Sequence, residues 1–207
     1  MIEIKAILKK YKALIVFENC SMTFEDNSIN VIYGRNGIGK TTLLNLIANQ
    51  SSLDQGSILI DGKEQLDMNA KLELFFVPDK KEAFNNFTGR ELFDFIAILY
   101  KQTNNDIERY IELLDMQSNI DKLISTYSLG MKQKIWILAM IKSNANNILL
   151  DEPYNSLDEQ SKEVLTIILK QLAGERKCIL TATHDLNVLK DESYNLYNII
   201  DRKIVRK

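Results

Sequence analysis

The run Gly34-Arg35-Asn36-Gly37-Ile38-Gly39-Lys40-Thr41 constrains this chain more than any other feature, because it fits the pattern GxxxxGK[ST]. The β-rich stretch Ser28 to Tyr33 precedes it, and a helical stretch, Thr42 to Asn49, follows. Strand, glycine-rich turn and helix are the setting in which this pattern holds a phosphate. Phosphate oxygens need several converging donors, and glycines let successive backbone N–H groups turn inward with no Cβ in the way. The helix N-terminus adds partial positive charge. Lys40 is placed to reach the β- and γ-phosphates, and the Thr41 hydroxyl to ligate Mg²⁺. With glycine at ~7% of residues, the four fixed positions coincide by chance in roughly one chain of this length in a hundred. A chance turn ahead of a helix is therefore the weaker reading.

A phosphate loop implies an α/β sheet, and the rest of the chain supplies one. Ile2, Ile4 and Ile7 are spaced among polar residues, Leu14 to Phe17 is an apolar run, and Ser57 to Ile60 ends at the turn dipeptide Asp61-Gly62. These read as strands. Helical periodicity then takes over. Thr88 and Glu91 have capping-box spacing ahead of Leu92, Phe93, Ile96 and Leu99, and Ile107, Tyr110, Ile111 and Leu114 form a second stripe. From Met131 onward helix and strand alternate: Met131 to Ile141 helical, Ile148 to Leu150 strand, Val164 to Leu172 helical, Cys178 to Ala182 strand. A hairpin around Asp201-Arg202 follows. The expectation is one domain over residues 1–207, with a helical block inserted at about 79–134.

Composition removes several function classes. The 207 residues carry a net charge of -2, which gives no footing to a nucleic-acid binder. The longest apolar run, Ile135 to Ile141, is far shorter than the ~20 residues that span a bilayer. Charged Glu3, Lys5, Lys9 and Lys10 break up the start of the chain, so no signal-peptide block is expected. Cys20 and Cys178 stand alone, reading as buried reduced thiols in a cytosolic protein.

Ile148-Leu149-Leu150 ends in Asp151-Glu152. Adjacent residues at a strand end point to opposite sides, so Asp151 can orient a Mg²⁺ shell while Glu152 polarises a water. His184, the one histidine, follows the strand Cys178 to Ala182. Gly34, Asp151 and His184 thus all lie just past the ends of expected parallel strands, the edge where open α/β sheets bind ligands.

With these motifs in this order, the sequence resembles the nucleotide-binding ATPase subunit of the ABC transporter family. Tyr127-Ser128-Leu129-Gly130-Met131-Lys132-Gln133 is similar to that family's LSGGQ signature, and Asn155-Ser156-Leu157-Asp158 to its D-loop. The resemblance implies an α/β fold: a P-loop NTPase core with a mixed, mostly parallel sheet, an N-terminal antiparallel β subdomain and an inserted α-helical subdomain. It implies ATP held by Tyr11, Gly34, Arg35, Asn36, Gly37, Ile38, Gly39, Lys40, Thr41 and Thr42, and in trans by Ser128, Gly130 and Met131 of a second subunit. Asp158 would pass between subunits, Glu152 and His184 would be catalytic, and Thr41 and Asp151 would serve Mg²⁺. Tyr11 is otherwise an edge-strand surface tyrosine, and Ser128 is also a natural helix N-cap.

Two positions depart from the family. Leu129 replaces the first signature glycine, a variant similar to export-type members. No glutamine occurs between Gln65 and Gln102, and Asp79, in Phe76-Val77-Pro78-Asp79, stands where the Q-loop glutamine is expected. Asp79 is either a substitute metal ligand or a surface acid. Six phenylalanines fall between Phe75 and Phe95, of which Phe84 and Phe87 are the expected contacts for a separate transmembrane permease.

The resemblance further implies a homodimer or heterodimer of ATPase subunits on the inner face of the membrane. It points to a transporter exporting drugs, antibiotic peptides or lipids. The alternatives are a soluble ABC ATPase of the iron–sulfur assembly kind or a non-hydrolysing nucleotide sensor. A small GTPase is disfavoured by the lack of NKxD, and a repair ATPase by the short span from Lys40 to Ser128.

Overall fold

The computed structural model describes residues 1–102, 107–189 and 193–207. Among the described residues, ten strands form two sheets. Strands β1 (Ile2–Tyr11), β2 (Leu14–Phe24), β4 (Gln55–Ile60) and β5 (Lys63–Glu64) make an antiparallel sheet in the order β2-β1-β4-β5. The other sheet has the order β10-β9-β3-β8-β7-β6. It contains β3 (Ser28–Tyr33), β6 (Leu74–Val77), β7 (Asn147–Asp151), β8 (Cys178–Thr183), β9 (Asn195–Ile200) and β10 (Lys203–Arg206). Its strands pair in parallel except at the β9–β10 hairpin. The helices are α1 (Lys40–Ile47), α2 (Met68–Leu72), α3 (Gly89–Leu99), α4 (Ile107–Leu113), α5 (Leu129–Ser143) and α6 (Glu159–Gly174).

The parallel strands read as continuous apolar runs because each is covered on both faces. Successive residues supply opposite cores. In β7, Ile148 and Leu150 join the core beneath α3 to α6, while Leu149 joins the one shared with α1 and the antiparallel sheet. In β8, Ile179 faces the first core and Cys178, Leu180 and Ala182 the second. Helix α1 is anchored by Leu43, Leu44, Leu46 and Ile47, all 0% exposed. Each such side chain contributes roughly 1.5–3 kcal/mol on burial. The phosphate loop therefore starts from a rigid floor.

The spacing of Ile2, Ile4 and Ile7 has a local cause. Ala6 adopts a φ of 46°, and the pairing of β1 with β2 shifts between Ile4 and Ile7, so a third apolar residue returns inward after three positions. The Asp61-Gly62 turn joins β4 to β5 with both residues at positive φ, 50° and 75°. Cys20 and Cys178 are free and buried, and burial pushes the Cys178 thiol up to about 12. No helix among the described residues is long and apolar enough to cross a membrane.

Candidate functional site

The parallel strands β3, β8 and β7 lie side by side and end together. Past their ends come Gly34, His184 and Glu152, with Asp151 as the last residue of β7. The loop crossings are tied to the sheet, since Gly34 N–H donates to Thr183 O (3.4 Å) and Glu152 N–H to Ala182 O (2.9 Å). One cleft of about 410 Å³ opens here, walled by Tyr11, Asn36, Gly37, Gly39, Lys40, Thr41, Thr42, Asp79, Glu152 and His184 among others.

The loop backbone has the form that an anion needs. Gly37 and Gly39 hold φ of 81° and 116°, a region that disfavours side chains, and a Cβ on Gly39 would come 3.0 Å from Val16 Cγ1. Helix α1 starts without a side-chain cap, whereas α2, α3, α5 and α6 are each capped by an Asp, Thr or Ser. Its first N–H groups are left for a ligand. Lys40 is 6% exposed, and its Nζ donates to Gly34 O (2.6 Å) and Arg35 O (3.5 Å) while lying 3.5 Å from Glu152 Oε1. An incoming phosphate competes with these acceptors for the ammonium.

Glu152 is positioned from both sides. Its other oxygen, Oε2, meets His184 Nδ1 at 3.0 Å and the His184 N–H at 3.4 Å. Its backbone φ is 48°, and it lines the cleft, whereas Asp151 lines a different space. Asp151 is 1% exposed, and its Oδ1 has no partner among the described residues. Burial pushes the Asp151 carboxyl above the ordinary carboxylate range, and Asp79 and Glu152 add to this, while Thr41 and Lys40 draw it back. A second cavity of about 470 Å³ joins Thr41, Asp79 and Asp151 to Gln50, Phe76 and Trp136. A buried, orphaned carboxylate oxygen with Thr41 and Asp79 around one space is a set of hard oxygen donors that suits Mg²⁺.

Other expected site residues lie elsewhere. Arg35 is exposed, and Ile38 packs against the core beneath α1. Ser128, Gly130 and Met131 do not line the cleft; they form the first turn of α5, where Ser128 Oγ accepts from Met131 N–H at 3.2 Å. Asp158 is occupied as the N-cap of α6, accepting from Ser161 N–H (2.8 Å), and pairs with Lys134 of α5 at 3.3 Å. Its carboxyl is held down to about 2, chiefly by the Ser161 N–H. Asp79 is exposed and reaches the cleft, the Thr41–Asp151 cavity and a third space beside Leu129 and Gln133.

The phenylalanines divide. Phe75 and Phe93 are buried at 4% exposure, Phe84 and Phe87 are partly buried, and Phe95 is 40% exposed. An apolar groove of about 260 Å³ runs between Phe76, Phe84, Phe95, Leu99 and Trp136 on one side and Ala48, Gln65 and Lys71 on the other. Phe84 lines it; Phe87 stacks edge-on to Phe84 at 5.6 Å and does not. Pattern reading missed Leu99 and Trp136, because apolar residues at helical spacing look like core.

Residues 17–155 match the sequence profile described as ABC transporter. The petrobactin import ATP-binding protein YclP of Bacillus subtilis is 28% identical, over 100% of this chain and 86% of that protein. The cytochrome c biogenesis ATP-binding export protein CcmA of Reclinomonas americana is 30% identical, over 86% of this chain and 82% of that protein. Against the ribose import ATP-binding protein RbsA of Caldanaerobacter subterraneus subsp. tengcongensis, at 29% identity, the chain spans only 40% of the relative's length. In fold, it superposes on an ABC transporter ATP-binding subunit with a TM-score of 0.92 at 20% identity, covering 100% of this chain and 89% of that one. It also superposes on an ATP-binding cassette in a dimeric post-hydrolysis state bound to ADP and Pi, with a TM-score of 0.86 at 22% identity, over 100% of this chain and 98% of that one. The chain belongs to the ABC transporter family, as one of its ATP-binding ATPase domains.

Proposed function

We propose that this chain powers a membrane transporter by closing as a pair of ATPase subunits around ATP and reopening after hydrolysis. The observation that carries the proposal is the division of the site. The cleft gathers the phosphate loop, Glu152, His184 and Tyr11, while Ser128 and Gly130 stand outside it at the N-terminus of a separate helix. A second subunit brings its own Ser128 turn to the open side of the cleft. The similarity in fold to a cassette whose structure is dimeric supports that arrangement.

In this reading Lys40 and the N–H groups of residues 37–42 bind the phosphates, and Tyr11 stacks on the base. Glu152 accepts a proton from the attacking water, held in place by His184 Nδ1. Thr41 and Asp151 would hold Mg²⁺, with Asp79 in the place of the Q-loop glutamine. The chemistry the ion would supply there is neutralisation of negative charge on the phosphate oxygens.

The apolar groove beside the Thr41–Asp151 cavity supports a permease as the partner, and with it a location at the inner face of the membrane. The stretch Gly89 to Tyr100 and the Leu129-Gly130-Met131-Lys132-Gln133 signature support export of drugs, antibiotic peptides or lipids. Relatives are named for import as well as for export.

The test uses tagged Glu152→Gln chain in its native host, trapped with ATP and isolated from detergent-solubilised membranes. The variant retains ATP and pairs, while turnover falls roughly 10²- to 10⁴-fold, the usual share of a general base. A multi-span protein co-purifies in stoichiometric amount. Recovery with soluble partners alone replaces the transporter reading with that of a soluble ABC ATPase, and unchanged turnover removes Glu152 from the mechanism.

A further inference from the structure

Tyr11 ends β1 with 46% of its surface exposed and lines the cleft beside Leu14 and Val16. A ring at a strand end swings unless something holds it, and a platform that must be ordered on binding loses affinity. The side chain that meets it is Lys9. Strand residues two apart share a face, and β1 shifts register on both sides of Lys9, between Ile7 and Lys9 and between Lys9 and Lys10. Irregularities of this kind re-aim side chains next to sites.

Lys9 is 6% exposed. Its Nζ lies 4.6 Å from the centroid of the Tyr11 ring and donates to Ser52 O at 2.7 Å. Among the described residues, the partners of this buried cation are thus a carbonyl and a ring face, not a carboxylate. Ser52 belongs to the turn that continues α1, in which the Gln50 and Ser51 N–H groups both donate to Asn45 O, at 2.8 and 3.2 Å. Two further ties join the same pieces. Lys10 N–H donates to Asp54 Oδ2 at 2.7 Å, and the Tyr11 hydroxyl lies 3.4 Å from Ser51 Oγ.

We infer that Lys9 is a positioning residue for base recognition, holding the Tyr11 ring by one face and tying it to the helix that carries the phosphate loop. The opposite face is left for the base of a nucleoside triphosphate. The distance from base platform to phosphate seat is then set by α1 and its turn. The inference rests on the reading of Tyr11 as the stacking residue.

The test compares binding of MgATP with that of magnesium tripolyphosphate, which has no base. Wild-type chain, Lys9→Met, Lys9→Gln, Tyr11→Ala and the Lys9→Met/Tyr11→Ala double variant are titrated calorimetrically. Lys9→Gln keeps a donor for Ser52 O without the charge, so it carries the test should Lys9→Met not fold. Both Lys9 variants weaken ATP binding about five- to thirtyfold, the span from a well-formed exposed cation–π contact to a desolvated one. They leave tripolyphosphate binding unchanged and raise KM with kcat constant. In the Tyr11→Ala background, Lys9→Met adds no further loss. A matching loss of tripolyphosphate binding, or an additive loss in the double variant, overturns the inference by making Lys9 a support of the phosphate loop. Tyr11→Ala that weakens ATP binding beside silent Lys9 variants removes Lys9 alone. Tyr11→Ala that binds ATP as the wild type does removes the stacking reading and Lys9 with it.

Discussion

Gly130 is required by a single oxygen. A Cβ at this position would stand 2.7 Å from Ser156 O, and Ser156 itself holds a φ of 65°. Both sides of that contact are backbone, so neither yields by a change of rotamer. Leu129 is the opposite case. It takes the place of the family's first signature glycine, yet it is 74% exposed, and a side chain is accommodated there at no cost to the fold. Gly130→Ala therefore displaces either the first turn of α5, outside the chain's own cleft, or the segment at Ser156, whose neighbour Asn155 stands at the cleft wall away from the phosphate loop in sequence. ATP affinity of the separate subunit is expected to hold, while turnover, which under the proposed function needs the closed pair, falls roughly 10²-fold for a misplacement of about an ångström. Titration with ATP beside a phosphate-release assay checks this. Unchanged turnover shows that the α5 turn takes no part in hydrolysis.

Helix starts sort the elements by job. Thr88 and Glu91 form the reciprocal capping box at α3 that their spacing predicts, Ser128 caps α5 and Asp158 caps α6. Of α1, α2, α3, α5 and α6, α1 alone lacks a side-chain cap and leaves its N–H groups to a ligand. The Asp158 cap also ties α6 to α5 through Lys134. Because the folded-state pKa of Asp158 is lowered to about 2 from an ordinary value of 3.8, its contribution is complete above about pH 4 and is lost as pH falls through about 2. Asp158→Asn keeps a capping side chain and drops the charge, so its urea stability is expected to fall less steeply than that of the wild type across this window. Asp158→Ala, which loses the cap, costs about 1 kcal/mol at neutral pH. Parallel pH profiles for wild type and Asp158→Asn would remove the carboxylate from the stability of this junction. The limits of sequence reading show at the same scale. Strands β3, β7 and β8 were legible because apolar runs stop at Gly34, Asp151 and His184. Strand β6 and helix α2 were not. The first is four residues merging into Pro78, and the second is five residues with Ala70 alone buried, too short for any period to register. Residues 18–24 of β2 were missed because Asn19, at a φ of 45°, breaks their alternation.

Across the whole molecule, the Thr41–Asp151 cavity and the apolar groove share Gln50, Phe76 and Trp136 as lining. Trp136 in turn stacks at 5.8 Å on Phe84, whose φ of 64° is unusual for an aromatic residue and whose ring also meets Phe95 at 5.7 Å. A body seated in the groove thus touches Phe76 and Trp136, the same rings that wall the Thr41–Asp151 cavity. Here the sequence was half legible: six phenylalanines marked the region, but their exposure depends on how α3 lies over β6, which no local pattern carries. Phe95, Ile98 and Leu99 leave 40%, 79% and 46% of their surfaces open along the outer side of α3, an apolar strip that none of the described residues covers. Leu99→Glu sets a charge on the groove wall at a site where the free subunit keeps it hydrated, so ATP affinity and basal turnover are expected to stay as in the wild type. Seating an apolar segment over that carboxylate strips its water. Loss of an anchor at the centre of an interface costs about 2 kcal/mol or more, roughly 30-fold in affinity. Membrane recovery of the ATP-trapped Glu152→Gln chain with and without Leu99→Glu measures this directly. Equal recovery would place the permease on another face of the subunit, while a loss of recovery at unchanged ATP affinity ties the groove to the membrane partner.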